Sequence, residues 1–285
     1  MGQVILMKFT KMHGLGNDYI YINTMEEGEH DYSFLAKKFS DRHFGIGADG
    51  IITISKSQND KKADYFMQIY NADGSKGEMC GNGIRCVGKY VYENGLTNKK
   101  NLLIDTLAGV KKLDLNVENN KVISVSVDMG KPMLHNGLDL ELSKAKHILN
   151  VDGDEYEVYD ISMGNPHTVI FVDEITDDLV LKIGPLIESN SYYPNRTNVE
   201  FVKTIDKENI EMRVYERGSG ETMACGTGAC ASAAIYFLIN KLDEVQVKLL
   251  GGTLNIKKDS NNHLIMQGPA TKVFEGNIDL NDIIK

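Results

Sequence analysis

The chain has 285 residues, is 42% hydrophobic and 25% charged, and carries a formal net charge of −9. That acidity argues against nucleic acid or an anionic membrane surface as a partner, and no apolar run is long enough to span a bilayer. The length fits two ordinary domains with substantial cores. Four cysteines in a chain without an export signal fit a reduced, cytoplasmic protein. The opening Met1-Gly2-Gln3-Val4-Ile5-Leu6 is too short for a signal peptide, and Leu6 stands where an acylation pattern needs Ser or Thr.

In chain order, residues 9–12 read as a strand, Gly14-Leu15-Gly16-Asn17-Asp18 as a turn, and 19–23 as a second strand. Phe34, Leu35 and Phe39 recur at helical spacing, which predicts a helix over 31–42. A glycine-rich loop, 45–50, leads to a strand at 51–54, and another strand over 64–70 enters a loop that ends at Cys80. Cys80-Gly81-Asn82-Gly83 then opens a helix, expected over 84–93. Segments 102–106, 110–117 and 122–127 read as an antiparallel meander.

The second half has the same character. Strands are predicted at 157–162 and 167–172 around Met163-Gly164-Asn165-Pro166, a short helix at 179–188, and strands at 198–203 and 210–215. Cys225-Gly226-Thr227-Gly228 then precedes a helix-forming run rich in Ala, expected from near Thr227 to about Lys241. Strands at 245–249, 252–257 and 263–267 follow, and 271–276 is expected to return to the first domain.

Tyr70/Tyr215, Cys80/Cys225, Gly81/Gly226 and Gly83/Gly228 share an offset of 145 residues, about half the chain, and Gly16-Asn17 echoes Gly164-Asn165 at 148. So long a period fits two related domains, not a solenoid. The predicted fold is α+β: two pseudo-symmetric domains, each a mostly antiparallel sheet or barrel around a central helix. The expected boundaries are 1–125 with about 272–285, and 126–271, with the active site in the cleft between them.

A cysteine just before a helix meets unpaired backbone N–H groups and the positive end of the dipole, a setting that lowers a thiol's pKa. The flanking glycines leave those N–H groups open to an anion. Cys80 and Cys225 are therefore candidate reactive thiols, whereas Cys86 and Cys230, inside their helices, read as inert core. Neither Cys-x5-Cys nor Cys-x4-Cys matches common zinc spacing, so no metal site is expected.

Together these motifs are recognisable. Met12-His13-Gly14-Leu15-Gly16-Asn17-Asp18, Arg42-His43-Phe44-Gly45-Ile46-Gly47-Ala48-Asp49-Gly50, Asn71-Ala72-Asp73-Gly74-Ser75 and Cys80-Gly81-Asn82-Gly83-Ile84-Arg85-Cys86 occur in this order. Met163-Gly164-Asn165-Pro166-His167 and Glu216-Arg217-Gly218-Ser219-Gly220-Glu221-Thr222 follow. The chain resembles the diaminopimelate epimerase family from about Met7 to near its C-terminus.

The resemblance implies interconversion of LL- and meso-2,6-diaminopimelate by proton transfer at one α-carbon, with Cys80 and Cys225 as thiolate base and thiol acid. It implies no cofactor, pyridoxal phosphate included, and a cytoplasmic homodimer serving lysine and peptidoglycan-precursor biosynthesis. Asn17, Asn71, Asn165, Asn198, Glu216 and Arg217 match residues that hold the substrate. The backbones of Gly81, Asn82, Gly226 and Thr227 would face its α-carboxylate, and His167 and Glu216 match residues that adjust the thiols. Arg217 suits a two-pronged grip on the distal carboxylate. Gly50 departs from family members that carry a substrate-contacting glutamine there.

Two other classes stay open at this point. One is a sister isomerase of the same fold, proline racemase-like or phenazine-pathway-like, although Arg217, Asn71 and Asn198 favour a substrate with a second polar end. The other is a non-enzymatic protein that binds anions at both helix starts.

Overall fold

The computed structural model describes residues 5–57 and 63–283; Met1-Gly2-Gln3-Val4, read above against leader and acylation patterns, lies outside them. The chain divides into two compact units, Met1–Val127 with Pro269–Lys285, and Asp128–Gly268.

In the first, β1 (Leu6–Gly14) and β2 (Asn17–Asn23) are joined by Leu15 and Gly16, both at positive φ, a two-residue hairpin whose twist matches the strands. Asn17 and Asp18, expected in a turn, are therefore strand residues. A short helix α1 (Thr24–Glu27) and α2 (Tyr32–Phe39) follow, the latter capped by Asp31. Next come β3 (Gly50–Lys56), β4 (Tyr65–Asn71), a small hairpin strand β5 (Lys76–Gly77) and α3 (Gly81–Glu93). The meander is β6 (Asn101–Asp105), β7 (Lys111–Glu118) and β8 (Lys121–Asp128).

The second unit starts with α4 (Leu142–Ala145), β9 (Lys146–Val151), β10 (Asp154–Ser162) and β11 (Pro166–Phe171). The predicted helix over 179–188 begins as a π turn, Leu179–Ile183, and only Gly184–Glu188 is α-helical (α5). Pro185 has no N–H to continue the ladder, and the Gly184 N–H reaches back to the Leu179 carbonyl. Then come β12 (Asn198–Thr204), β13 (Asn209–Glu216), β14 (Gly220–Glu221) and α6 (Gly226–Asn240). The strands β15 (Glu244–Leu249), β16 (Gly252–Lys258) and β17 (Leu264–Gly268) complete that unit, and β18 (Thr271–Asp279) with α7 (Leu280–Ile283) belongs to the first.

The units share one sheet plan. Among the described residues the first runs β18-β1-β2-β3-β4-β6-β7-β8, antiparallel except at β2–β3 and β4–β6. The second runs β9-β10-β11-β12-β13-β15-β16-β17, antiparallel except at the matching β11–β12 and β13–β15. Registers repeat too. Tyr19 pairs with Gly50 and Tyr21 with Ile52; 148 residues on, His167 pairs with Asn198 and Val169 with Glu200. The architecture is α+β with mostly antiparallel sheets, as its many short strands and few long helices predict.

In each unit the sheet curls round one helix. Residues 228–237 of α6 are buried, and its Ala229, Ala231, Ala233 and Ala234 let strands approach from several sides. In α3 the close approach comes at Gly88, where a Cβ would lie 3.0 Å from both Leu113 and Leu115 side chains. The amphipathic α2 covers the other face of the first sheet, with Tyr32, Leu35, Ala36 and Phe39 against Ile20, Ile22 and Ile51. Strands covered on both faces read as continuous apolar runs, as Tyr19-Ile20-Tyr21-Ile22 does.

Candidate active site

Both candidate thiols are helix N-caps, and both helices start one residue after the cysteine, earlier than their sequences predict. Cys80 and Cys225 have extended backbones, and each Sγ accepts the N–H three residues on: Gly83 N at 3.3 Å and Gly228 N at 3.4 Å. Sulfur thus takes the part of the usual oxygen cap and satisfies a donor the helix cannot. The second glycine of each motif lies close against a side chain of the neighbouring strand. A Cβ on Gly83 would lie 2.6 Å from Ile52 Cδ1, and one on Gly228 would lie 2.6 Å from Glu200 Oε1.

In the first unit, the Cys80 thiol donates to Asn17 Oδ1 at 3.1 Å. Asn17 is held in that orientation because its Nδ2 donates to Asp49 Oδ2 at 2.7 Å. Arg42 bridges Asp49 and Asp18, and Lys11 pairs with Asp18, so the asparagine rests on a charged lattice. The buried Tyr19 also lies against Cys80 and Asn17; burial pushes its hydroxyl well above the usual phenol range, and Cys80 adds to that. Asn82 is buried at the second residue of α3. Asn71 ends β4 opposite Gly50 and donates to Ser75 Oγ at 3.0 Å across a tight turn. At Gly50 a Cβ would lie 2.3 Å from the Tyr70 carbonyl, so the backbone itself excludes a glutamine there.

In the second unit Cys225 is buried, and its Sγ lies 3.5 Å from Thr227 Oγ1. Thr227 accepts from Asn165 Nδ2 at 3.3 Å, Asn165 Oδ1 lies 3.0 Å from His167 Nε2, and His167 Nδ1 lies 2.6 Å from Glu200 Oε1. His167 and Glu200 are both fully buried. Glu216 receives hydrogen bonds from Thr222 and from Cys225; burial nonetheless raises its carboxyl above the usual carboxylate range. Asn198 spends its amide on two backbones, donating to the Pro166 carbonyl at 2.8 Å and accepting from Arg217 N at 2.9 Å. Arg217 is exposed, with Nη1 3.3 Å from the Asn195 carbonyl.

The acidity of Cys225 runs against the expectation from its helix position. Burial pushes the thiol well above its ordinary value, and the Glu216 and Glu200 carboxylates add to that push. The hydrogen bonds from Thr227 and Gly228 oppose it and are outweighed. These surroundings favour the protonated form of the thiol. Cys86 and Cys230 are fully buried, as inert core thiols are.

The structure gathers Cys225, Gly226, Thr227, Asn165, His167 and Glu216 in one unit and Cys80, Gly81, Asn82 and Asn17 in the other. Tyr19 and Glu200 lie outside the quoted motifs, and Asp49 lies within one without being singled out there. The offset of 148 could have found Tyr19, because it matches Tyr19 to His167.

The sequence pattern of the diaminopimelate epimerase family matches residues 9–135 and 159–273. A protein named diaminopimelate epimerase from Acetivibrio thermocellus is 50% identical over 285 residues, covering 97% of this chain and all of that one. One of the same name from Methanococcus maripaludis is 46% identical over 280 residues, covering 96% and 100%. Among solved structures, a hydroxyproline epimerase from Agrobacterium vitis superposes with a TM-score of 0.74 at 15% identity, over 100% of this chain and 95% of that one. A phenazine biosynthesis protein of the PhzF family from Bacillus anthracis gives 0.68 at 18%, over 96% and 99%. At such identities these two show a shared fold.

Proposed function

Because the chain belongs to the diaminopimelate epimerase family, we propose that it interconverts LL- and meso-2,6-diaminopimelate, with Cys80 and Cys225 as the two proton carriers. The observation that carries the reading is the duplicated thiol cap: two units of one plan each present a cysteine Sγ at the first turn of the central helix. Inversion of an α-carbon needs a base on one face and an acid on the other. Two monoprotic thiols serve both directions by exchanging roles, and the reading requires both to reach one α-carbon. Burial and the neighbouring carboxylates favour the protonated form of Cys225.

The proton to be removed is weakly acidic, and the negative charge that develops must spread into the α-carboxylate. The backbone N–H groups of Gly81, Asn82, Gly226 and Thr227 stand at two helix starts, where such donors are pre-organised and need not reorient during the reaction. This chemistry operates without pyridoxal phosphate. Asn17 and Asn165 orient the groups around the thiols, His167 and Glu216 set proton affinities, and Asn71 and Asn198 line the substrate's path. Arg217, exposed and anchored through its backbone by Asn198, grips the distal carboxylate. The reading extends to a cytoplasmic homodimer acting in lysine and peptidoglycan-precursor biosynthesis.

Incubation with LL-diaminopimelate in deuterated water tests it. The expected result is deuterium at one α-carbon together with the meso form; unchanged substrate without deuterium refutes the reading.

A further inference from the structure

Glu200 has no part in the chemistry above, yet it is a fully buried carboxylate, a group that costs several kcal/mol to bury unless its partners compensate. Its Oε1 meets His167, while Oε2, also buried, has no hydrogen-bond partner among the described residues. The repeat shows that the fold does not ask for this residue. Ile52 is its counterpart in the first unit, in the same register on the same strand and beneath the same glycine of the helix cap. Tyr19 likewise stands where His167 stands. One unit fills these places with isoleucine and tyrosine and buries no carboxylate there; the other fills them with a paired carboxylate and imidazole.

We propose that Glu200 is a positioning residue for the epimerisation: its carboxylate fixes His167 and, through Asn165 and Thr227, the setting of Cys225, and it faces that thiol across Gly228. The inference rests on the reading of Cys225 as a proton carrier. The hydrogen-bonded chain is continuous, from Glu200 Oε1 to His167 Nδ1 (2.6 Å), His167 Nε2 to Asn165 Oδ1 (3.0 Å), Asn165 Nδ2 to Thr227 Oγ1 (3.3 Å) and Thr227 Oγ1 to Cys225 Sγ (3.5 Å). The carboxylate on Nδ1 fixes the plane of the ring, and that plane sets where Nε2 meets Asn165. The charge acts through space as well. The position of a Cβ on Gly228 lies 2.6 Å from Glu200 Oε1 and 3.3 Å from Cys225 Sγ, so oxygen and sulfur are within about 6 Å of each other.

The ionisable groups set against the thiol come from three strands: His167 from β11, Glu200 from β12 and Glu216 from β13. His135, from the loop after β8, donates to the carbonyls of Ile161 and His167 and reaches the network through backbone. Among these, Glu200 is the carboxylate bound to the histidine, while Glu216 bonds Thr222 and the thiol itself.

The test is the titration of Cys225 in Cys80→Ala protein, followed as the pH dependence of alkylation localised to Cys225 by peptide mass spectrometry. Glu200→Gln keeps shape and hydrogen bonding and removes the charge. Its midpoint is expected about one to two pH units lower, the size of a unit charge at this distance in a protein interior. Glu200→Asp keeps the charge and should hold the midpoint near that of the unsubstituted residue. An unchanged midpoint in Glu200→Gln overturns the proposal. If that variant does not fold, Cys80→Ala protein alone decides, because a Cys225 midpoint at or below that of a free thiol, about 8.5, is incompatible with it. Deuterium exchange by the unsubstituted protein is measured separately, so failure of the proton-carrier reading is distinguishable from failure of the role given to Glu200.

Discussion

Alanine at the second glycine of each thiol motif separates the two caps. Gly228 and Gly83 hold the same helix position, and alanine should gain up to about 1 kcal/mol of helix propensity at either. At Gly83 the new methyl meets Ile52 Cδ1 at 2.6 Å and Met67 Cε at 3.3 Å, both ends of flexible apolar chains that can turn aside. The strain and the propensity gain then nearly cancel, and stability should stay within about 1 kcal/mol of the parent. At Gly228 the methyl meets Glu200 Oε1 at 2.6 Å, Glu200 Cγ at 3.2 Å and Cys225 Sγ at 3.3 Å. That carboxylate is buried and bound to His167, so moving it sacrifices a charge-assisted hydrogen bond of about 1.5–3 kcal/mol in addition to the overpacking. A net loss of about 2–4 kcal/mol is expected for Gly228→Ala, together with a lower rate of α-deuterium incorporation. Urea unfolding of both variants measures the difference. Equal losses would show that generic crowding, not the clasp on Glu200, excludes a side chain at Gly228.

Two further outcomes follow from the thiols. Cys80→Ala and Cys225→Ala should each lose epimerisation, yet each should eliminate halide from one stereoisomer of a β-halogenated substrate analogue, with opposite preferences; a shared preference would contradict action on opposite faces. Stability should fall in alkali, because burial raises the Cys86 thiol from 9.0 to about 11. The unfolded chain ionises first, so this contribution is complete below about pH 9 and is lost as pH climbs through about 11, up to about 3 kcal/mol in all. Urea midpoints should decline over that window and decline less in Cys86→Ala; parallel slopes would refute it.

The repeat was legible because cysteine followed by Gly-x-Gly is rare enough to be noticed twice, and the helix behind each is rich in good formers. Helix starts came out late because glycine has poor propensity, whereas the first turn is held by the sulfur cap and not by propensity. Strand β9 went unrecognised: only Leu149 and Val151 are buried in it, too few to set an alternation. The π turn at 179–183 depends on a hydrogen-bond shift before Pro185 that side-chain periodicity does not record. Glu200 was invisible for a different reason. A single acidic residue in an apolar strand has no spacing to read, and its meaning appears only when Ile52 is seen in the corresponding register.

The pairing of β1 with β18 also bears on how the protein comes off the ribosome. Leu6 pairs with Asp279, so β1 waits for a neighbour encoded roughly 270 codons later, a delay of about 15–60 s at ordinary elongation rates. The second unit carries the counterpart of that strand, β9, just ahead of β10 and is complete in one continuous stretch. The usual N-to-C order is therefore inverted: the later-encoded half can finish first, while the earlier half stays an open-edged nascent sheet, exposed to chaperones and to pairing with neighbouring chains, until β18 has been made.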